Sequence, residues 1–322
     1  MNFPYERDIF LSSGGSKMVA APLAYFRGEF LPASDAKVGV MTHALHYGTA
    51  VFEGIRSNWN SEEQKHSVFR PREHYVRLHD SCNILRMHLQ YNVDELLDIT
   101  KELIQKSGFK EDLYIRPLVF KSEERVANLK LHELSDDFVL LAVPLGNYID
   151  TRAARCIVSG WRRIDESMVP TRVKISGNYI NGILAKTDAI LAGYDEAILL
   201  NDDGSVAEGT GENIFIVRNN IISTPPISSN ALPGITRDCV MHLAVEELGL
   251  KVEEREIGRG ELYLADEVFF TGTAAHLTAV GEIDNRPIGN GDVGEITGAL
   301  QDLYFTLIRG SNKKYRHWCL MV

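Results

Sequence analysis

The residues that could do chemistry fall in a few short stretches. Thr171-Arg172-Val173-Lys174-Ile175-Ser176-Gly177-Asn178-Tyr179 sets a lysine among apolar neighbours where a strand gives way to a helix. A partly desolvated amine loses proton affinity and can attack a carbonyl to form an imine. Spacing alone does not separate Lys174 from a solvated surface lysine. Ala207-Glu208-Gly209-Thr210-Gly211-Glu212-Asn213 places two carboxylates four residues apart in a Gly-rich turn before a strand. A carboxylate there could hold a protonated ring nitrogen; the plainer reading is a solvated acidic turn. Pro233-Gly234-Ile235-Thr236 precedes a helix, and Gly272-Thr273-Ala274-Ala275 follows a strand. Both could offer backbone N–H groups to an anion. The plainer readings are an N-cap by Thr236 and a tight turn. His43 and His46 have no acidic partners at ligand spacing, so packing or hydrogen-bonded histidines are expected and no metal.

These groups need a scaffold, and apolar periodicity supplies its outline. Residues 72–89 approximate one helical face, and Asp94 can cap a second helix that Gly108 ends. Residues 113–120 and 138–143 read as strands, which puts Tyr114, Arg116 and Leu118 on one face because side chains alternate. Pro144-Leu145-Gly146 marks a boundary. Beyond it, helices are expected over 177–191 and 236–248, with strands over 196–200, 213–217 and 267–271. This is α/β or α+β grammar, with Gly-rich turns where a ligand can approach backbone.

At 322 residues the chain suggests about two domains, large enough to bury a core without disulfides or metal. A formal charge of -10 argues against binding nucleic acid or an anionic membrane, yet allows a local basic pocket. Four scattered cysteines suggest a reducing cytoplasm. No apolar run approaches a membrane span. The stretch from Lys17 through Phe26 reads as a flexible start leading into a first strand and turn, rather than a signal peptide. Gly14-Gly15-Ser16-Lys17 lacks the upstream glycine of a P-loop, and neither a dinucleotide fingerprint nor a nucleophile elbow is present.

Taken together, the motifs resemble the fold-type IV (class IV) pyridoxal-phosphate aminotransferases, and within them the branched-chain amino-acid aminotransferases. The resemblance runs from about Ala24 to about Gly310. It is carried by Met41 to Arg56, Arg77-Leu78-His79-Asp80-Ser81, Tyr114-Ile115-Arg116-Pro117, Ser176-Gly177-Asn178-Tyr179, Glu208 to Asn213, Leu232 to Arg237, and Ala265 to Phe269 with Gly272-Thr273-Ala274. It implies a two-domain fold like that of D-amino-acid aminotransferase. Residues 1–144 would form a small α+β domain, 145–153 the interdomain loop and 154–322 the larger cofactor-binding domain. By resemblance Lys174 is the Schiff-base lysine and proton shuttle, Tyr179 holds the pyridine O3′, and Glu208 faces the pyridine nitrogen. Arg77, Ile235, Thr236 and Thr273 would form the phosphate cup. Leu232 would pack on the ring, with Gly211 and Glu212 in the same wall. Phe52, Tyr47, Tyr114 and Tyr148 match the apolar substrate wall, Arg116 the receptor for a distal carboxylate, and the Thr273-Ala274 amides the α-carboxylate site. The Tyr47 position serves the neighbouring subunit in this family, so at least a homodimer is implied.

The implied reaction is amino transfer between L-leucine, L-isoleucine or L-valine and 2-oxoglutarate. Leu145 replaces a common tryptophan, and Lys121 to Leu129 replaces a glycine-rich loop. These departures motivate the alternative of an (R)-amine or D-amino-acid transaminase. The fold also hosts an aminodeoxychorismate lyase, which Arg116 and the apolar wall disfavour. A non-catalytic binding protein is disfavoured by the presence of both Lys174 and Glu208.

Overall fold

The structure, a computed structural model, describes residues 22–146 and 152–322. Two sheets organise it, the first antiparallel and the second mixed. Strands β1 (Leu23–Phe26) and β2 (Glu29–Pro32) form a hairpin whose turn residues Arg27 and Gly28 both have positive φ, the conformation that suits the strands' right-handed twist. A short helix α1 (His43–Tyr47) leads to β3 (Ala50–Phe52), β4 (Ile55–Asn60) and β5 (Lys65–Phe69). Helices α2 (Pro71–Ile84) and α3 (Val93–Ser107) follow, then the long antiparallel pair β6 (Leu113–Lys121) and β7 (Asp136–Pro144).

Helix α3 is capped by Asn92, not by Asp94. The Asn92 side chain accepts from the amides of Asp94 and Glu95, and Glu95 accepts from the Asn92 amide in return. Gly108 ends the helix with φ +65°, as expected. Helix α2 stops at Ile84, short of the expected Leu89, because Arg86 turns to φ +50°. Met87 and Leu89 still enter the core, now from a loop. There α2 and α3 cover one face of the first sheet with Tyr75, Leu78, Leu96 and Leu103 packed on Val68, Ile115 and Leu140.

The second sheet starts with β8 (Ala153–Arg162), runs through a 3-10 turn at Ser176–Asn178 into α4 (Tyr179–Leu191), and continues with β9 (Glu196–Leu200), β10 (Val206–Gly209), β11 (Asn213–Arg218) and β12 (Ile221–Thr224). Then come α5 (Ile235–Glu246), β13 (Lys251–Glu254), α6 (Arg259–Leu264), β14 (Glu267–Gly272), β15 (His276–Ile283), β16 (Arg286–Pro287), α7 (Glu295–Ile308) and β17 (Cys319–Met321). Its order is β10-β9-β8-β15-β14-β11-β12-β13, with parallel contacts at β8–β9, β8–β15 and β12–β13. Strands β11 and β14 are apolar on both faces. Phe215 and Phe269 pack with α5 and α7, while Ile214, Ile216, Val268 and Phe270 enter a separate core with Leu262 of α6.

Strand β17 leaves the second unit and pairs with β5, so the first sheet runs β17-β5-β4-β6-β7-β1-β2 with β3 beside β6. Among the described residues no helix is long and apolar enough to cross a membrane, and no group of three or more His, Cys, Asp or Glu is placed to hold a metal. His43 is buried, bonded to Thr49 and to the Asn128 carbonyl, and His46 is bonded to the Val40 carbonyl. Gly14 to Lys17 lies outside the described residues.

Candidate active site

Two adjoining cavities open between the sheets. The first is lined by Arg163, Lys174, Tyr179, Glu208, Gly211, Glu212 and Leu232 among others. The second shares Lys174, Tyr179 and Glu212 and adds Phe52, Arg77, Tyr114, Arg116, Ile235, Thr236, Thr273 and Ala274.

Lys174 is fixed by its backbone. Its carbonyl accepts from the Phe52 amide at the end of β3 (3.0 Å), and its amide donates to Ser81 Oγ on α2 (3.2 Å). The half-buried side chain lies between two rings, with Nζ 5.4 Å from the Phe52 centroid and 5.3 Å from that of Tyr179. The site therefore holds an amine against two aromatic faces.

Glu208 sits at the end of β10 and is buried. Its Oε1 pairs with Arg163 (2.9 Å), and its Oε2 accepts from Asn213 Nδ2 (3.2 Å) and the Leu232 amide (3.1 Å). Burial raises its pKa, and the Arg163 charge opposes that rise. Glu212 is buried too; desolvation first, then the charge of Glu196, push it up to about 8. These carboxylates are no solvated turn.

The opposite end of the cavity is basic and rich in amides. Helix α5 begins at Ile235 with Gly234 as N-cap, so Thr236 is not the cap expected of it, and no side chain caps the helix. A Cβ on Gly234 would overlap the Asn213 amide, so only glycine lets the helix start here. Arg77 reaches this end from α2. Its Nη1 donates to the Pro233 carbonyl (2.6 Å), and its Nε and Nη2 donate to Glu53 (2.6 and 2.8 Å). Glu53 is fully buried and also accepts from His74 Nδ1 (2.7 Å). Burial would raise its pKa, but Arg77 and His74 hold it well below the carboxylate range. Thr271 Oγ1, in the same cavity wall, is buried without a hydrogen-bond partner.

Strand β6 presents Tyr114 and Arg116 on one face, as the alternation requires. Arg116 Nη2 donates to Tyr114 Oη (2.8 Å), and the guanidinium lies 4.1 Å from the Phe52 centroid. Arg116 Nε is buried without a partner. A Cβ on Gly54 would overlap the Tyr114 hydroxyl, so that glycine leaves room for the ring. Leu145 gives its carbonyl to Arg56 Nη1 (2.5 Å).

The structure thus gathers Phe52, Arg77, Tyr114, Arg116, Lys174, Tyr179, Glu208, Gly211, Glu212, Leu232, Ile235, Thr236, Thr273 and Ala274 in one place. Tyr47 is not among the lining residues; it is 42% exposed and its hydroxyl accepts from the Ala127 amide. Tyr148 lies outside the described residues. Sequence reasoning missed Arg163 and the supporting role of Glu53. Arg163 carries no local signal, being paired across the fold; Glu53 stands inside the quoted Phe52-Glu53-Gly54 stretch.

This donor set fits pyridoxal phosphate. An amine, a buried carboxylate at one end, and at the other a cationic and amide-rich cup whose cavity wall holds the unpartnered Thr271 hydroxyl match an aldehyde, a ring nitrogen and a phosphate. Comparison with known proteins agrees. Residues 50–283 match the family model for amino-transferase class IV. A probable branched-chain-amino-acid aminotransferase of Aquifex aeolicus is 47% identical over 94% of this chain and 97% of its own. A branched-chain aminotransferase from Thermoproteus uzoniensis, crystallised with norvaline, superposes with TM-score 0.89 at 40% identity over 93% of this chain and 98% of that one. The PLP form of the Thermobaculum terrenum enzyme does so at 0.89 and 36%, over 94% and 99%.

Proposed function

The chain belongs to the class IV amino-transferases, and from that premise we propose that it transfers the amino group between L-leucine, L-isoleucine or L-valine and 2-oxoglutarate, using pyridoxal phosphate. The observation that carries this reading is the pair of adjoining cavities that share Lys174, one lined by Glu208 and the other by Arg77 and the Tyr114–Arg116 face.

When bound, the cofactor supplies a carbonyl to receive the amino group and a ring to accept electrons. The chain's residues do the rest. Lys174 holds the cofactor when substrate is absent and moves the proton at substrate Cα when it is present. Glu208 keeps a proton on the ring nitrogen, with Arg163 and Asn213 fixing the carboxylate. Arg77, the first α5 amides, Thr236 and Thr273 hold the phosphate. Tyr179 orients the ring oxygen, and Leu232 with Gly211 and Glu212 walls the ring. Phe52 and Tyr114 bury a branched apolar side chain. Arg116, whose Nε has no partner, receives the second carboxylate of glutamate or 2-oxoglutarate. The Thr273-Ala274 amides take the α-carboxylate.

Tyr47 is exposed on a surface that also exposes Val40, Met41 and Leu45, which supports a homodimer in which this ring completes the neighbouring subunit's site. We take residues 145–153 as the junction of two domains. Four free cysteines suit a reducing cytoplasm. The test is the half-reaction of the loaded enzyme. L-Leucine and L-glutamate should each bleach its visible band. Turnover of D-amino acids or (R)-amines with neither L-substrate active would overturn the assignment.

A further inference from the structure

We propose that Arg70 is a positioning residue for the phosphate cup, locking α2 to α5 at the separation at which Arg77 and the α5 amides grip one phosphate. The proposal rests on the cofactor reading above.

The cup is assembled from two separate parts of the fold. Arg77 comes from α2, which packs on the first sheet, and the amides of Ile235 and Thr236 come from α5, which packs on the second. Something must set their spacing. Arg77 makes one link, donating to the Pro233 carbonyl just ahead of α5 (2.6 Å). One link leaves a pivot.

Arg70 makes the second. It is the N-cap of α2, one residue ahead of Pro71, so it sits at the start of the helix that carries Arg77. Its Nη1 donates to Asp238 Oδ2 in the first turn of α5 (2.5 Å), and its Nε donates to Glu73 (2.7 Å). The backbone at Arg70 is left-handed, φ 45° and ψ 45°, a conformation that only surrounding contacts maintain in a residue with a Cβ. Those contacts are present. The Arg70 amide donates to the Trp318 carbonyl (2.8 Å), and its guanidinium lies 5.2 Å from the centre of the Trp318 ring. Trp318 in turn packs edge-on against His242 of α5 (5.1 Å). The arginine side chain is 13% exposed although Asp238 is 69% exposed. A surface ion pair adds little stability by itself. Here the gain is geometric: one arginine at the start of α2 and one within it hold two points, Asp238 and the Pro233 carbonyl, on either side of the helix start that completes the anion site.

The test titrates apoenzyme with pyridoxal phosphate and, separately, with pyridoxal, which lacks the phosphate. Arg70→Met keeps the aliphatic stem and removes the fork; Asp238→Asn removes the other end from an exposed position, so it reports even if Arg70→Met fails to fold. Pyridoxal phosphate affinity should fall about tenfold in Arg70→Met and about fivefold in Asp238→Asn, while pyridoxal affinity changes less than about twofold. Arg70→Lys, which keeps charge but not the fork, should recover only part of the loss. Unchanged phosphate-form affinity in both Arg70→Met and Asp238→Asn, or equal loss for both ligands, would overturn the proposal. A wild-type chain that binds neither ligand would defeat the cofactor reading, and this one with it.

Discussion

Glu53→Gln probes how the cup is built. Glu53 has no exposed surface and accepts from Arg77 twice (2.6 and 2.8 Å) and from His74 once (2.7 Å). The amide keeps the volume but loses the charge, and turns an N–H₂ group toward these donors. The Arg77 guanidinium, 11% exposed, is then left buried without a counter-charge. Removing one partner of such a pair costs about 3–5 kcal/mol, against about 0–1 for an exposed pair. Chemical denaturation of the apoprotein should show that loss, and pyridoxal phosphate affinity should fall with it because Arg77 loses its orientation. The double variant Glu53→Gln/Arg77→Met removes the orphaned charge. It should regain part of the stability while leaving the affinity low. A single variant costing under about 1 kcal/mol, or a double variant no more stable than the single, would refute the reasoning.

Three further outcomes follow from the same geometry. Arg116→Gln should slow the L-glutamate half-reaction about tenfold to hundredfold relative to L-leucine, because only glutamate carries a second carboxylate; stopped-flow rates with both substrates check this, and equal losses would contradict the role. Glu212, pushed up to about 8, keeps its proton in the folded apoprotein over a range where the unfolded carboxyl, near 4.5, has lost it. The folded state binds more protons there, so stability falls as pH rises from about 4.5 to about 8, and Glu212→Gln should flatten that slope in denaturation curves. Glu53 acts in the opposite sense: its folded pKa is depressed, so its contribution is complete above about 4.5 and is lost as pH falls below that, and Glu53→Gln should show a shallower acid limb.

Local patterning made much of this readable. The alternation in β6 placed Tyr114 and Arg116 on one face, and Gly108 ended α3. Where the expectations missed, a neighbouring group competed successfully. Asn92 displaced Asp94 as cap because its side chain reaches two free amides with Glu95 answering. Thr236 is not the cap because α5 already starts at Ile235, after Gly234, where Asn213 crowds a Cβ. The Glu208–Arg163 pair and the return of β17 to β5 join segments far apart in the chain, which no periodicity records. The tail Lys314 to Cys319 had no readable role in sequence; in the fold its Trp318 braces Arg70. The cofactor residues stood out only as an ordered set of motifs, because each one alone has an ordinary explanation.

The most direct test of the account is borohydride reduction of the loaded enzyme followed by peptide mass spectrometry. The account expects the cofactor's mass on one lysine, Lys174, with the mark and the visible band both absent in Lys174→Ala. A mark on another lysine, or none on a chain that turns over L-leucine, would contradict it.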